Sequence, residues 1–134
     1  MPLIQWNDAL SVKIDKFDDQ HKKLVGLINE LHTAMSHGKG KEIISHAINA
    51  MIDYTRTHFK DEEAFMKMHN YPELNAQQKA HAQFVDKVLD FKKQYETGVL
   101  TTTVQLFSFL NTWLIEHIKK SDAKYGQALA NKAV

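Results

Sequence analysis

No cysteine occurs in the 134 residues, which excludes disulfides, thiolate metal sites and iron–sulfur clusters together. Proline and glycine are scarce, at two and five, so few points break a helix and long helices are expected. No apolar run approaches the roughly 20 residues of a membrane span, and the start, Met-Pro-Leu-Ile-Gln-Trp, lacks the pattern of a signal peptide. Charge of one sign is missing too. A formal net charge of +1 gives no argument for nucleic acid or an anionic membrane as partner. The expectation is a cytoplasmic protein with one domain over residues 1–134, without membrane insertion and long enough for a real core. Histidine, by contrast, is plentiful at eight residues, and their placement carries most of what the sequence says.

Helical periodicity organises the chain. After an irregular N-terminal arm to about Phe17, a first helix is predicted to start at Asp18 or Asp19, either of which can cap it. Its apolar stripe contains His21, Leu24, Val25, Ile28, Leu31, His32 and Met35. The turn His37-Gly-Lys-Gly-Lys41 has glycine where a helix ends. A second helix is predicted from Glu42 to Met68, with Ile44, Ile48, Met51, Ile52, Thr55, His58, Phe59, Glu62, Phe65 and Met66 on one face. Tyr71-Pro72 breaks it. A third runs from Glu73 to Tyr95 and turns Gln77, His81, Phe84, Val85 and Val88 inward, ending at Thr97-Gly98. A fourth spans Thr101 to Lys120 with Leu106, Phe107, Leu110, Trp113, Leu114, His117 and Ile118 inward. A short amphipathic tail with Tyr125 and Leu129 follows. Four long helices joined by short turns predict an all-α, antiparallel up-down-up-down four-helix bundle with an N-terminal arm and a short C-terminal helix.

A single histidine on an apolar stripe is more often a hydrogen-bonded core residue than a ligand. Here His21, His58, His81 and His117 all fall on such stripes, with Glu62 four residues after His58 on the same face. No inward lysine or arginine accompanies Glu62, and a buried carboxylate is costly unless paired or bound to a metal. His21 lies near the start of the first helix, and His58 and Glu62 lie near the end of the second. Gln77 and His81 lie near the start of the third, and His117 near the end of the fourth. In an up-down bundle all of them meet at the same end. Imidazole and carboxylate without sulfur suit iron better than zinc, manganese or copper, and two carboxylates with several imidazoles suit a pair of ions bridged by Glu62 and Asp122. His117 and Asp122 are five residues apart, which is about 140° on a regular helix, so a π-like last turn is expected there. His32, His37, His46 and His69 are read as non-ligands.

In these residues the chain resembles the hemerythrins, in particular the single-domain bacterial ones, over nearly its whole length. The resemblance is carried by Trp6, by Ile14-Asp15 ahead of Asp19-Gln20-His21-Lys22, and by His58-Phe59-Lys60-Asp61-Glu62-Glu63. It continues in Tyr71-Pro72, in His81, and in Trp113-Leu114-Ile115-Glu116-His117 through Asp122 and Tyr125. It implies two iron ions in an oxo- or hydroxo-bridged, non-haem di-iron centre that binds dioxygen reversibly. His21 and His58 would hold one iron and His81 and His117 the other, with Glu62 and Asp122 as bridges. Dioxygen would bind at the open position of the iron held by His21 and His58. One residue departs from the family's pattern: Gln77 stands where a third histidine is expected at the second iron. Its carbonyl oxygen can coordinate, it can leave the position to water, or that iron can bind weakly. Faster autoxidation or lower iron occupancy than in a Gln77→His variant is the expected result.

Leu24, Phe59, Leu114 and Ile118 lie within a turn of a ligand and are expected to form a dry oxygen pocket, with Leu114 screening the bound ligand. The expected function is oxygen storage or delivery to an oxygen-using enzyme, by a monomer and without catalysis. A sensor of this type is usually fused to a signalling domain, for which the chain has no room. A di-iron peroxidase or oxygenase typically draws a Glu-x-x-His pair from each of two helices, a pattern missing at this end of the bundle. Gln77 works the other way, because a second open position would permit turnover of peroxide.

Overall fold

In the computed structural model of the protein, residues 3–98 and 102–132 are described. Among these residues, five α-helices follow a one-turn 3-10 helix at Asp8–Leu10: α1 (Asp15–Ser36), α2 (Lys41–Met68), α3 (Leu74–Glu96), α4 (Thr102–Glu116) and α5 (Ala123–Leu129). A π-helical turn, His117–Asp122, joins α4 to α5. Helix α1 packs against α2 and α4, and α3 against α2 and α4. The short turns between them make the bundle antiparallel, as the periodicity predicts.

The turns are built from the residues their geometry requires. Gly38 and Gly98 take positive φ, 64° and 83°, just past the ends of α1 and α3, where an L-residue with a side chain pays a steric penalty. At the end of α2 the left-handed residue is Asn70, φ 55°, and the Tyr71 N–H donates to the Met66 carbonyl at 2.9 Å to close the helix.

The start of α1 differs from expectation. The helix begins at Asp15, after Ile14, which offers no side-chain cap. Asp18 is instead used by the arm: it accepts from the Ser11 hydroxyl at 2.6 Å and from the Val12 N–H at 2.8 Å. A side chain tied to the preceding loop cannot also cap its own helix. The third helix starts and ends one residue later than expected. The fourth loses regular α geometry at His117, and its expected first residue, Thr101, lies outside the described residues.

The arm is part of the core. Ile4, Leu10, Val12 and Ile14 are buried, and Asn29 ties the arm to α1 through Ile4, accepting its N–H at 2.9 Å and donating to its carbonyl at 2.8 Å. Helix α5 comes down on the arm at Gly126, where an added Cβ would lie 2.1 Å from the Val12 carbonyl oxygen. Only glycine permits that approach. Arm and α5 thus close one end of the bundle over Phe17, whose ring meets Phe65 at 5.4 Å and Tyr125 at 5.7 Å. Beneath this lid lie the polar residues that the sequence turns inward.

Candidate metal centre

Every one of those residues is buried: His21, His58, Glu62, Gln77, His81, His117 and Asp122, with Glu62 fully inaccessible. Two clusters result, His21–His58–Glu62 and His81–His117–Asp122, each with its ligand atoms within 4.8 Å of one another. The i,i+4 spacing on α2 puts His58 Nε2 at 3.1 Å from Glu62 Oε1. His21 Nε2 faces both carboxylates, 3.3 Å from Glu62 Oε2 and 3.3 Å from Asp122 Oδ2. His81 Nε2 lies 3.6 Å from Glu62 Oε1 and 3.2 Å from His117 Nε2, and His117 Nε2 lies 3.2 Å from Asp122 Oδ1. The π turn makes the last contact. One residue more than an α turn brings position i+5 back over position i, so Asp122 lies beneath His117 as the five-residue spacing requires.

The rings are held from behind. Gln20 Oε1 can only accept, so His58 donates to it through Nδ1 at 2.6 Å, and Gln20 Nε2 donates in turn to Asp61 at 2.9 Å. His81 donates through Nδ1 to the Glu63 carboxylate at 2.8 Å. Both bonds place a proton on the outer nitrogen and aim Nε2 inward, the orientation that metal-binding histidines require. Stacking fixes ring planes on the other side: Phe59 lies parallel to His81 at 3.8 Å and Trp113 to His117 at 4.3 Å.

Electrostatics show what the cluster lacks. Burial opposes charge on Glu62 and Asp122, yet His58 and His21 hold the Glu62 carboxyl well below its usual range, and His117 and His21 hold Asp122 below it. Burial also opposes an imidazolium at His21, but Asp122 and Glu62 outweigh it and push that ring up to about 10. In His81 burial prevails over Glu62 and Glu63, and the pKa falls. A proton on His21 therefore takes the place of a cation between two buried carboxylates. Acceptors remain without donors even so, at Glu62 Oε1 and Gln77 Oε1. Inward imidazole nitrogens, paired carboxylates and the unanswered Glu62 oxygen fit two hard-to-borderline cations such as iron.

Gln77 joins this centre through its amide, Nε2 donating to Asp122 Oδ1 at 3.2 Å. The expected pocket residues Leu24, Phe59, Leu114 and Ile118 are all buried. His32, His37, His46 and His69 lie outside the two clusters; His32 packs edge-on to Phe107 at 4.9 Å and His69 to Phe65 at 4.9 Å. Three contributors are absent from the expected site. Tyr125 is buried and donates a short hydrogen bond to Glu62 Oε2, and burial and Glu62 raise its pKa well above normal. Its spacing of three from Asp122 was the available signal. Gln20 and Glu63 adjoin ligand positions in sequence, but each supports a histidine on another helix, which periodicity does not reveal.

Known proteins resemble the chain over nearly its whole length. The family model for the hemerythrin HHE cation-binding domain matches residues 12–129. A bacteriohemerythrin of Pseudomonas aeruginosa is 34% identical over 129 residues, covering 96% of this chain and 83% of that protein. One from Methylococcus capsulatus is 32% identical over 131 residues, covering 97% and 99%. A crystal structure of wild-type hemerythrin superposes with a TM-score of 0.81 at 31% identity over 95% of this chain and 98% of that one. Fold, buried ligand set and sequence thus point the same way, and the chain belongs to the hemerythrin family, whose members hold a di-iron centre and bind dioxygen.

Proposed function

We propose that this chain binds dioxygen reversibly and serves as a cytoplasmic, monomeric store or carrier that supplies an oxygen-using enzyme. In this reading His21 and His58 would hold one iron and His81 and His117 the other, with Glu62 and Asp122 shared between them. Gln77 occupies the place of the family's third histidine at the second iron. The observation that carries the reading is the burial of two three-residue ligand clusters side by side at one closed end of the bundle. The two ferrous ions, when bound, supply the electrons on which reversible binding of dioxygen draws.

The protein's own part is to orient and to exclude. Gln20 and Glu63 hold the His58 and His81 rings from behind and keep Nε2 of each aimed inward. Tyr125 holds Glu62 in place from the α5 side. Leu24, Leu114 and Ile118 keep water and protons from the outside ligand, with Leu114, one turn before His117, as the screen. No Glu-x-x-His pair occurs in the sequence to enrich the centre in carboxylate, which favours carrying oxygen over activating it.

The test is the visible spectrum of the reduced, iron-loaded protein on exposure to oxygen. A charge-transfer band that appears with oxygen and vanishes on degassing is the expected result. Irreversible bleaching with steady consumption of a reductant would replace this reading with a peroxidase-like enzyme, which Gln77 favours.

A further inference from the structure

Gln77 brings an amide to the Asp122 side of the centre, and its hydrogen bonding limits what that amide can do. The nitrogen end donates to Asp122 Oδ1 at 3.2 Å. The oxygen end is buried and has no donor. The same side chain forms part of the wall of a cavity of about 120 Å³, which it shares with Tyr71, Glu73, Ala76, Lys120 and Lys124. At about 30 Å³ per water molecule, such a space takes a few waters or one small ion. Both lysines are already paired, Lys124 with Glu73 at 3.5 Å and Lys120 with Glu116 at 2.7 Å. The Tyr71 hydroxyl donates to Glu73 at 3.3 Å. With both lysines paired, the charge that would draw an anion inward is that of the two irons when bound.

The donor sets lead to the same place. One side has His21 and His58, the other has His81 and His117, and the two carboxylates lie between them. Without a third imidazole, the side next to Gln77 is furnished no better than its neighbour. A neutral amide is the weaker donor to iron, and this one is held by a carboxylate.

We propose that the Gln77 side of the centre is a second position for an outside ligand, taking water, hydroxide or a monoanion the size of azide through the cavity beside Ala76. This rests on the di-iron reading above and extends it, since that reading gives an outside ligand to the His21–His58 side alone. The centre then has two exchangeable positions, one dry and one reached through the small cavity beside Gln77.

Azide added to the oxidised, iron-loaded chain tests this, with iron counted per chain and bound azide counted by calorimetry. The expected result is two azides per pair of irons in the wild type and one in Gln77→His. Ala76→Trp, which narrows the cavity and leaves Gln77 alone, keeps both azides and slows the second binding phase on rapid mixing. One azide in the wild type overturns the proposal, and so do two in Gln77→His. An unchanged second phase in Ala76→Trp overturns the route. Two irons in Gln77→His with fewer in the wild type also overturns it, because the position would then lack metal rather than be open to ligand. Fewer than two irons in both chains breaks the di-iron reading itself.

Discussion

The two halves of the centre are matched in donors and unequal in surroundings. His21 and His58 lie under the lid made by the arm and α5, with Phe17 edge-on to His58 at 6.3 Å and Leu24 fully buried. The opposite half borders open space on three sides. His117 and Trp113 line a groove of about 890 Å³ between α3 and α4, His81 lines a cleft of about 330 Å³, and Gln77 lines the small cavity. Their supports differ as well, since a neutral amide backs His58 and a carboxylate backs His81. Equal ligand sets therefore do not make equal sites. Access and hydrogen bonding behind the ligand divide the work between them.

The largest effect should come from the residue the halves share. Glu62 lies within 3.6 Å of three imidazoles, so Glu62→Ala is expected to lose both irons, measured as metal per chain in a protein still helical by circular dichroism. Retention of one iron would mean that the halves bind independently.

A smaller effect separates the supports. Removing a hydrogen-bond partner behind a metal-binding histidine costs about 10–100-fold in metal affinity. Glu63→Ala should fall near the upper end and Gln20→Ala near the lower, because a carboxylate raises the basicity of imidazole more than an amide does. Competition with a chelator measures both, and equal losses would erase the contrast between the halves.

The mildest effect is on pH dependence without metal. The His21 pKa rises from 6.5 to about 10 on folding, so its contribution is complete below 6.5 and is lost as pH climbs toward 10. Glu62 and Asp122 are depressed, so theirs is present above the ordinary carboxylate range and is lost as pH falls. Thermal melts of the metal-free protein should therefore show a plateau that declines on both sides. Iron uptake near neutral pH should release the His21 proton and remove the alkaline decline. An unchanged alkaline limb would place the stabilising proton elsewhere.

How far the sequence discloses all this depends on the range of each interaction. The α2 ligand pair follows from a four-residue spacing, and the π turn follows from the conflict between a five-residue offset and a shared target. Both are local. Asp18 was misread because an aspartate ahead of an apolar stripe resembles a cap, while the arm that claims it has no period to read. Tyr125, Gln20 and Glu63 act across helices, and their partners are fixed only when the bundle assembles. The placement of Gln77 at the centre follows from its stripe, but its bond to Asp122 does not, since nothing in the spacing says which end of the amide faces the carboxylate.

The π turn at His117–Asp122 has a consequence for how this protein can change. Each residue of a helix advances the chain by about 100°, and the turn carries one residue beyond the α repeat. Deleting that residue would swing all that follows by the same angle. Asp122 would leave His117, Tyr125 would leave Glu62, and the glycine beneath Val12 would give way to a side chain with no room. A carboxylate, a phenol and a seat for the arm thus depend on a single phase setting, so the C-terminal segment tolerates replacement of its exposed residues far better than any change in its length.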